Sequence, residues 1–159
     1  MAQFREEQRF PWVWAIPLFA AIPLYGLYQQ TVLHRPFGNH PAPDSVLWVT
    51  LGFILALGIW LTRARLITEV REDVLSVRFF LLWPGREIPW SEIARAEAVT
   101  YRPIRDYGGW GVRRGAAGMA YNVSGKRGVS IHLRNGENLL VGSQRAEELA
   151  QAIAVRTRS

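Results

Sequence analysis

The residues able to do chemistry gather in one stretch of this chain. Between Tyr101 and Gly128 stand Arg102, Arg105, Arg113, Arg114, Lys126 and Arg127 against the single acid Asp106. Tyr101, Tyr107, Trp110 and Tyr121 are interleaved with them among seven glycines. Guanidinium forks pair bidentately with phosphate and carboxylate, so these six cations are expected to bind anionic lipid headgroups or an acidic protein surface. Near an anionic leaflet each contributes about 1 kcal/mol. Trp110 and Tyr121 are expected to fill a core while the glycines make tight turns. The glycines do not lead from a strand into a helix at nucleotide-binding spacing, so no phosphate loop is expected.

A second candidate is the run Phe79-Phe80-Leu81-Leu82-Trp83-Pro84-Gly85. Successive strand residues point to opposite sides, so these apolar residues cannot all face one core. Some of Phe80, Leu82 and Trp83 should form an exposed apolar contact for a membrane or a protein, unless a helix or the end of a span covers them. The histidines carry weaker signals. His34 and His40 approach Asp44 at loose spacing in a turn-rich segment, which reads as a solvated loop and not a metal site. His132 alternates with apolar strand positions and reads as a surface residue. No serine–histidine–acid set or pair of buried acids is suggested by spacing, and no catalytic residue, metal or cofactor is expected. The absence of cysteine removes disulfides, thiolate zinc sites and thiol nucleophiles.

The elements that must hold these residues begin with two greasy segments. Residues 12–33 and 45–61 carry no charge. A helix needs roughly 20 apolar residues to cross the hydrocarbon core, with about 17 as the lower limit. Between them lies a turn-forming stretch from His34 to Pro43, so the pair reads as a transmembrane helical hairpin. Pro17 and Pro23 should kink the first span, which a bilayer tolerates when neighbours satisfy the freed carbonyls. Arg5 and Arg9 precede the hairpin, Arg63 and Arg65 follow it, and Arg35 alone marks the turn. Positive residues stay inside, so both termini are expected in the cytoplasm. Trp12, Trp14 and Trp60 would anchor the inner interface and Trp48 the outer one. All of the net +6 lies after Leu61, which suits an anionic surface and sets no fold.

From Arg65 the pattern changes to alternation. Leu75, Val77 and Phe79 alternate with Ser76 and Arg78, and Val129, Ile131 and Leu133 alternate with Ser130, His132 and Arg134. Strands are expected over residues 65–70, 74–80, 86–88, 93–101 and 139–141, with one or two short ones between Gly108 and Gly128. Asn135-Gly136 predicts a tight two-residue hairpin. Ala146, Leu149, Ala150 and Ile153 recur at helical spacing after Ser143, a candidate N-cap, so a C-terminal helix should cover the open end of the sheet. The fold class expected is therefore an α+β membrane protein. A two-helix hairpin (12–61) follows a short cytoplasmic segment (1–11) and precedes an antiparallel β-barrel or sandwich capped by a helix (62–159).

The stretch Arg86-Glu87-Ile88-Pro89-Trp90-Ser91-Glu92-Ile93 resembles the strand-to-strand segment of bacterial pleckstrin-homology-like domains. Tyr107 to Arg113, Ala120-Tyr121-Asn122, Gly125 to Val129 and Gly142-Ser143-Gln144, with the opening Phe4 to Arg9, resemble a bacterial family of two-span membrane proteins carrying such a domain. The resemblance implies that fold, a place in the bacterial inner membrane and no catalytic residue. The expected role is a non-catalytic membrane-anchored scaffold that contacts a protein partner or anionic lipid at the inner leaflet. It would serve as an accessory subunit of a larger membrane complex, for example an energy-transducing or photosynthetic one. The alternative is a membrane-bound enzyme with a cytoplasmic pocket. A nucleic-acid partner is not expected.

Overall fold

The computed structural model describes residues 4–81, 83–115 and 118–157, Trp83 by its backbone alone. The chain forms two units: residues 11–63, and the residues on either side of them, up to Phe10 and from Ala64 onward.

The inner unit is helical. A 3-10 turn, Pro11–Ala15, leads into α1, Ile16–Leu27, which ends in a π-helical turn, Tyr28–Val32. Pro17 falls in the first turn of α1, where an N–H would find no intrahelical acceptor. Pro23 lies inside the helix and is buried. After the turn comes α2, Asp44–Arg63. Two glycines set how closely the helices pack. A Cβ on Gly58 would stand 2.9 Å from Ile16, and one on Gly26 would stand 2.9 Å from Phe37 and 3.2 Å from Leu47. Ala20, Leu27, Leu47 and Leu51 make a small core. Most of the remaining surface is apolar and exposed, Leu18, Phe19, Ile22, Val49, Phe53 and Ile59 included. Only 17% of the most apolar window of each helical run is buried, and the runs, of 22 and 20 residues, are long and apolar enough to cross a membrane.

The outer unit is built of two sheets. The first comprises β1 (Phe4–Arg9), β2 (Arg65–Val70), β3 (Val74–Phe80) and β4 (Trp83–Pro89), antiparallel in the order β1-β2-β3-β4. The second comprises β5 (Ile93–Thr100), β6 (Gly111–Gly115), β7 (Gly118–Asn122), β8 (Arg127–Leu133) and β9 (Asn138–Gly142). Its order is β5-β8-β9-β7-β6, and β7 and β9 run parallel. A five-residue helix, α3 (Pro103–Tyr107), links β5 to β6. The last element, α4 (Ala146–Thr157), packs on β5 and β8 and reaches β1 and β2. One core joins the layers: Leu66, Val77, Phe79 and Ile88 from the first sheet, Val129, Ile131 and Val141 from the second, and Leu149 and Ile153 from α4.

The α+β class and the antiparallel sheets match expectation; the barrel does not. Both sheets stay open, with β1 and β4 at the edges of the first and β5 and β6 at the edges of the second, and a 3-10 turn, Trp90–Glu92, takes the chain from β4 of one sheet to β5 of the other. Residues 1–11 were expected to stand outside the β domain, yet Phe4–Arg9 is an edge strand of it, paired with β2 from Phe4↔Val70 to Arg9↔Arg65. The Asn135-Gly136 turn has three residues, not two. Leu133 N–H donates to Glu137 O, Gly136 N–H donates to Leu133 O, and Gly136 alone takes positive φ, at 87°. A two-residue type I′ turn would need positive φ at both central positions.

Candidate functional site

The six cations of the 101–128 stretch do not form one cluster. β5 and β8 pair Thr100 with Arg127, and Tyr101 N–H donates to Lys126 O at 2.8 Å, so Arg102 and Lys126 leave the same end of the second sheet side by side. Arg102 also precedes α3, which carries Arg105, and its main-chain N–H donates to Asp106 Oδ2 at 2.8 Å. Trp110 reaches over the neighbouring turn, its Nε1–H donating to Gly125 O at 3.4 Å. Arg113 folds back so that its Nε–H donates to Trp110 O at 3.2 Å. Arg102, Arg105, Arg113 and Lys126 are exposed, and among the described residues none of them is in an ion pair. Arg127 differs, since its guanidinium pairs with Glu147 at the start of α4. Arg114 follows Arg113 on a strand and therefore points to the other face. There it lines a cavity of about 260 Å³ with Arg86, Met119 and Glu137. Arg86 donates to Glu137 at 2.6 Å, and that hydrogen bond holds the exposed carboxyl below its ordinary range.

Beneath the four unpaired cations the interior is polar. Tyr101, Asn122 and Gln8 are 6%, 0% and 4% exposed. They converge on Gly142: a Cβ there would stand 2.9 Å from Asn122 Cβ and 3.2 Å from the Tyr101 hydroxyl. Gln8 Nε2–H donates to Gly142 O at 2.7 Å, and Asn122 Oδ1 accepts the Gly111 N–H at 2.9 Å. Among the described residues the Tyr101 hydroxyl, Asn122 Nδ2 and Gln8 Oε1 find no hydrogen-bond partner in range. Burial pushes the Tyr101 phenol above its ordinary pKa; the neighbouring Asn122 side chain works against that rise, and Tyr107 adds to it. Two residues back along β1, buried Glu6 accepts from Ser143 Oγ and, at 2.8 Å, from Gln144 N–H. Ser143 Oγ accepts in turn from Arg145 N–H at 3.0 Å, and the Arg145 guanidinium lies 4.8 Å from the Phe4 ring centre. Phe4, Glu6 and Gln8, the inward side chains of β1, thus grip the chain from Gly142 to Arg145 in sequence. Nothing in the composition of Phe4–Arg9 announces this seam, because its inward face is mostly polar.

The apolar candidate sits at the β3–β4 turn. Phe79 is buried in the core, whereas Phe80 and Leu81 are 55% and 48% exposed. Leu82 and the side chain of Trp83 lie outside the described residues. Leu81 adopts φ of 67°, unusual for a branched side chain. Beside the turn is a cleft of about 710 Å³ lined by Arg78, Phe80, Leu81, Pro84, Gly85, Arg86 and Glu87. Arg78 pairs with Glu87 at 2.9 Å across it.

His132 has more company than its spacing implied. Its Nδ1 lies 2.6 Å from Asn138 Oδ1, and its Nε2 lies 3.4 Å from Ser130 Oγ and 3.7 Å from Glu97 Oε1. A hydroxyl, an imidazole and an orienting oxygen in a row could relay a proton. Acyl transfer also needs N–H groups aimed at the developing oxyanion, and the strand bearing Ser130 is paired on both sides, to Glu97 and to Leu140. Among the described residues no three His, Cys, Asp or Glu side chains group as a metal would require.

In the helical unit Trp12 and Trp14 are exposed on the first turn and Trp60 near the end of α2, with Trp48 near its start. Since Ile16 packs on Gly58 and Gly26 beside Leu47, the first three share one end of the helix pair and Trp48 lies towards the other. No protein-family model matches the chain, and no curated protein matches it either.

Proposed function

We propose that this protein is a non-catalytic, membrane-anchored binding protein of the bacterial inner membrane. Its helical hairpin crosses the bilayer, and its β unit is a pleckstrin-homology-like domain held on the cytoplasmic face. The observation that carries this reading is the pairing of β1 with β2 up to Arg9↔Arg65, on either side of a helical unit whose surface is apolar. A chain that leaves and returns at one rung of a ladder, on neighbouring strands, and enters a bilayer in between must cross it an even number of times. Both ends of the hairpin then share one side. Arg5, Arg9, Arg63 and Arg65 flank those ends and Arg35 alone lies in the far turn, so that side is the cytoplasm. Two sheets around one core with a C-terminal helix support the pleckstrin-like reading. The four unpaired cations beside Trp110 give the unit a surface for an acidic protein or anionic headgroups, as an accessory subunit of a larger membrane complex would present.

Reporter fusions after Ser159 test the placement. A fluorescent protein that folds only in the cytoplasm should glow, and a phosphatase active only in the periplasm should be silent; the reverse pattern defeats the proposal. Mild detergent extraction of the tagged chain should bring partner proteins with it, a step that Arg102→Glu with Lys126→Glu should weaken while leaving membrane insertion intact.

A further inference from the structure

We infer that the cavity between Arg86 and Arg114 is a binding site for a phosphate-type oxyanion, with the Glu137 carboxylate as its built-in occupant. Arg114 points to the other face of its strand from Arg113, so this site rests neither on the membrane reading nor on the four cations beside Trp110. Three separate segments of one unit meet in it. Arg86 comes from β4, an edge of the first sheet, Arg114 from β6, an edge of the second, and Glu137 from the turn that leads into β9. Together they line about 260 Å³. Glycine keeps that space clear. A Cβ on Gly118 would run into Asn138 O, so no side chain can grow from that wall, whereas a Cβ on Gly136 would meet nothing within 4 Å, which leaves that side open.

The charges in the cavity do not balance. Arg86 Nη2–H donates to Glu137 Oε2 at 2.6 Å, while Arg114 is exposed and, among the described residues, in no ion pair. Two guanidinium groups therefore face one carboxylate. Arg86 is set in place by its surroundings: the buried Tyr121 phenol lies against it, and the Arg86 charge offsets part of the rise that burial gives that phenol. Glu137 hangs from a turn with its side chain half exposed. Its carboxyl is drawn below the ordinary range chiefly by the Arg86 hydrogen bond, with a smaller pull from Arg114. A carboxylate offers two oxygens and fills one guanidinium fork. A phosphate monoester offers three strong acceptor oxygens and close to two negative charges, so it can take both forks at once. It can thus displace the resident carboxylate, which has only to swing outward. The cavity falls below the roughly 300–1,000 Å³ of pockets that enclose drug-sized ligands. The ligand class is accordingly inorganic phosphate or the phosphate end of a small monoester.

Calorimetric titration of the full-length protein in detergent tests the site, with inorganic phosphate and glycerol phosphate as probes in chloride buffer of matched ionic strength. Glu137→Gln keeps the shape of the side chain and removes the competing charge, so it should bind both probes several-fold more tightly than the parent. Adding Arg114→Gln to Glu137→Gln should abolish that gain. Both positions are exposed, and urea midpoints check that each variant keeps its fold. Equal affinity in the parent and Glu137→Gln overturns the proposal, because the carboxylate would then not be holding the place of an anion. A gain that survives Arg114→Gln overturns it too, since the probe would be bound elsewhere, on the cations beside Trp110 for example. Absence of binding in every variant, with a urea midpoint lowered by Glu137→Gln, reduces the Arg86–Glu137 pair to a tie between the sheets and overturns it as well.

Discussion

At the scale of single residues the position that ties the polar seam together is Gly142, where three buried polar side chains and a strand end meet. An added methyl would overlap Asn122 and crowd the Tyr101 hydroxyl. Gly142→Ala should destabilise the β unit by about 1–3 kcal/mol, the usual range for overpacking, read as a lowered midpoint in urea. Tyr101→Phe should behave differently. It deletes a buried hydroxyl that makes no hydrogen bond of good geometry among the described residues, so stability at neutral pH should stay within about 0.5 kcal/mol of the parent. Its effect belongs at high pH. Burial raises the phenol pKa in the folded chain, whereas an unfolded tyrosine ionises near pH 10. The stabilising contribution of the protonated phenol is therefore complete below about 10 and is lost as pH rises through the folded value. Tyr107 and Tyr121 are raised in the same direction by burial. Tyr101→Phe leaves two such groups, so alkaline unfolding should set in less steeply. A fall in stability at pH 7 comparable to that of Gly142→Ala would mean that the hydroxyl is bonded after all.

At the scale of elements, what could be read from the residues depended on whether an inward face is apolar. β2, β3, β8, α2 and α4 announce themselves through alternation, continuous apolar runs or helical spacing. β1 does not, because its inward residues are Phe4, Glu6 and Gln8, and a strand whose buried face is two-thirds polar looks like a charged leader. α3 is too short to show a period, and its position is marked only by Pro103 as its first residue and Gly108 at φ 70° after it. The six cations were visible as composition, but their division was not. Adjacent Arg113 and Arg114 separate only once the pleat is known, and Arg127 is taken by Glu147, twenty residues away in sequence. The helix pair carries its own prediction. Gly58 and Gly52 both lie on α2, yet only Gly58 faces a neighbour, with nothing within 4 Å of a Cβ at Gly52. Gly58→Leu should lower the thermal midpoint in detergent, by the equivalent of about 1–3 kcal/mol, while Gly52→Leu should not move it. Equal effects would place the helix interface elsewhere.

At the scale of the whole molecule the fold treats fifty-three residues, 11–63, as an insertion between two neighbouring strands of one sheet. The β unit without β1 would lose Phe4 from its core, about 1.5–3 kcal/mol of burial. It would also leave the Ser143 hydroxyl, the Gln144 N–H and the Gly142 carbonyl without the partners that Glu6 and Gln8 supply. Water can replace those partners once the strand is gone, so the loss is the net worth of the bonds, about 1.5–3 kcal/mol for each of the two to Glu6 and about 0.5–1.5 kcal/mol for the one from Gln8. Together these losses approach the 5–15 kcal/mol that holds a typical domain. A chain beginning at Ala64 should therefore fail to give a cooperative fold, however much of its sequence remains. Joining Phe10 to Ala64 through a short Asn-Gly turn keeps β1 beside β2 and deletes every residue of the helical unit. That product should be soluble without detergent, run as a compact species on gel filtration and melt in a single transition. The contrast between the two products is the test, since both lack the apolar helices and differ in β1 and the turn that carries it. If the chain from Ala64 folded as well as the joined one, the seam from Phe4 to Gln8 would be ornament, and the hairpin could be tied to the β unit by β2 alone.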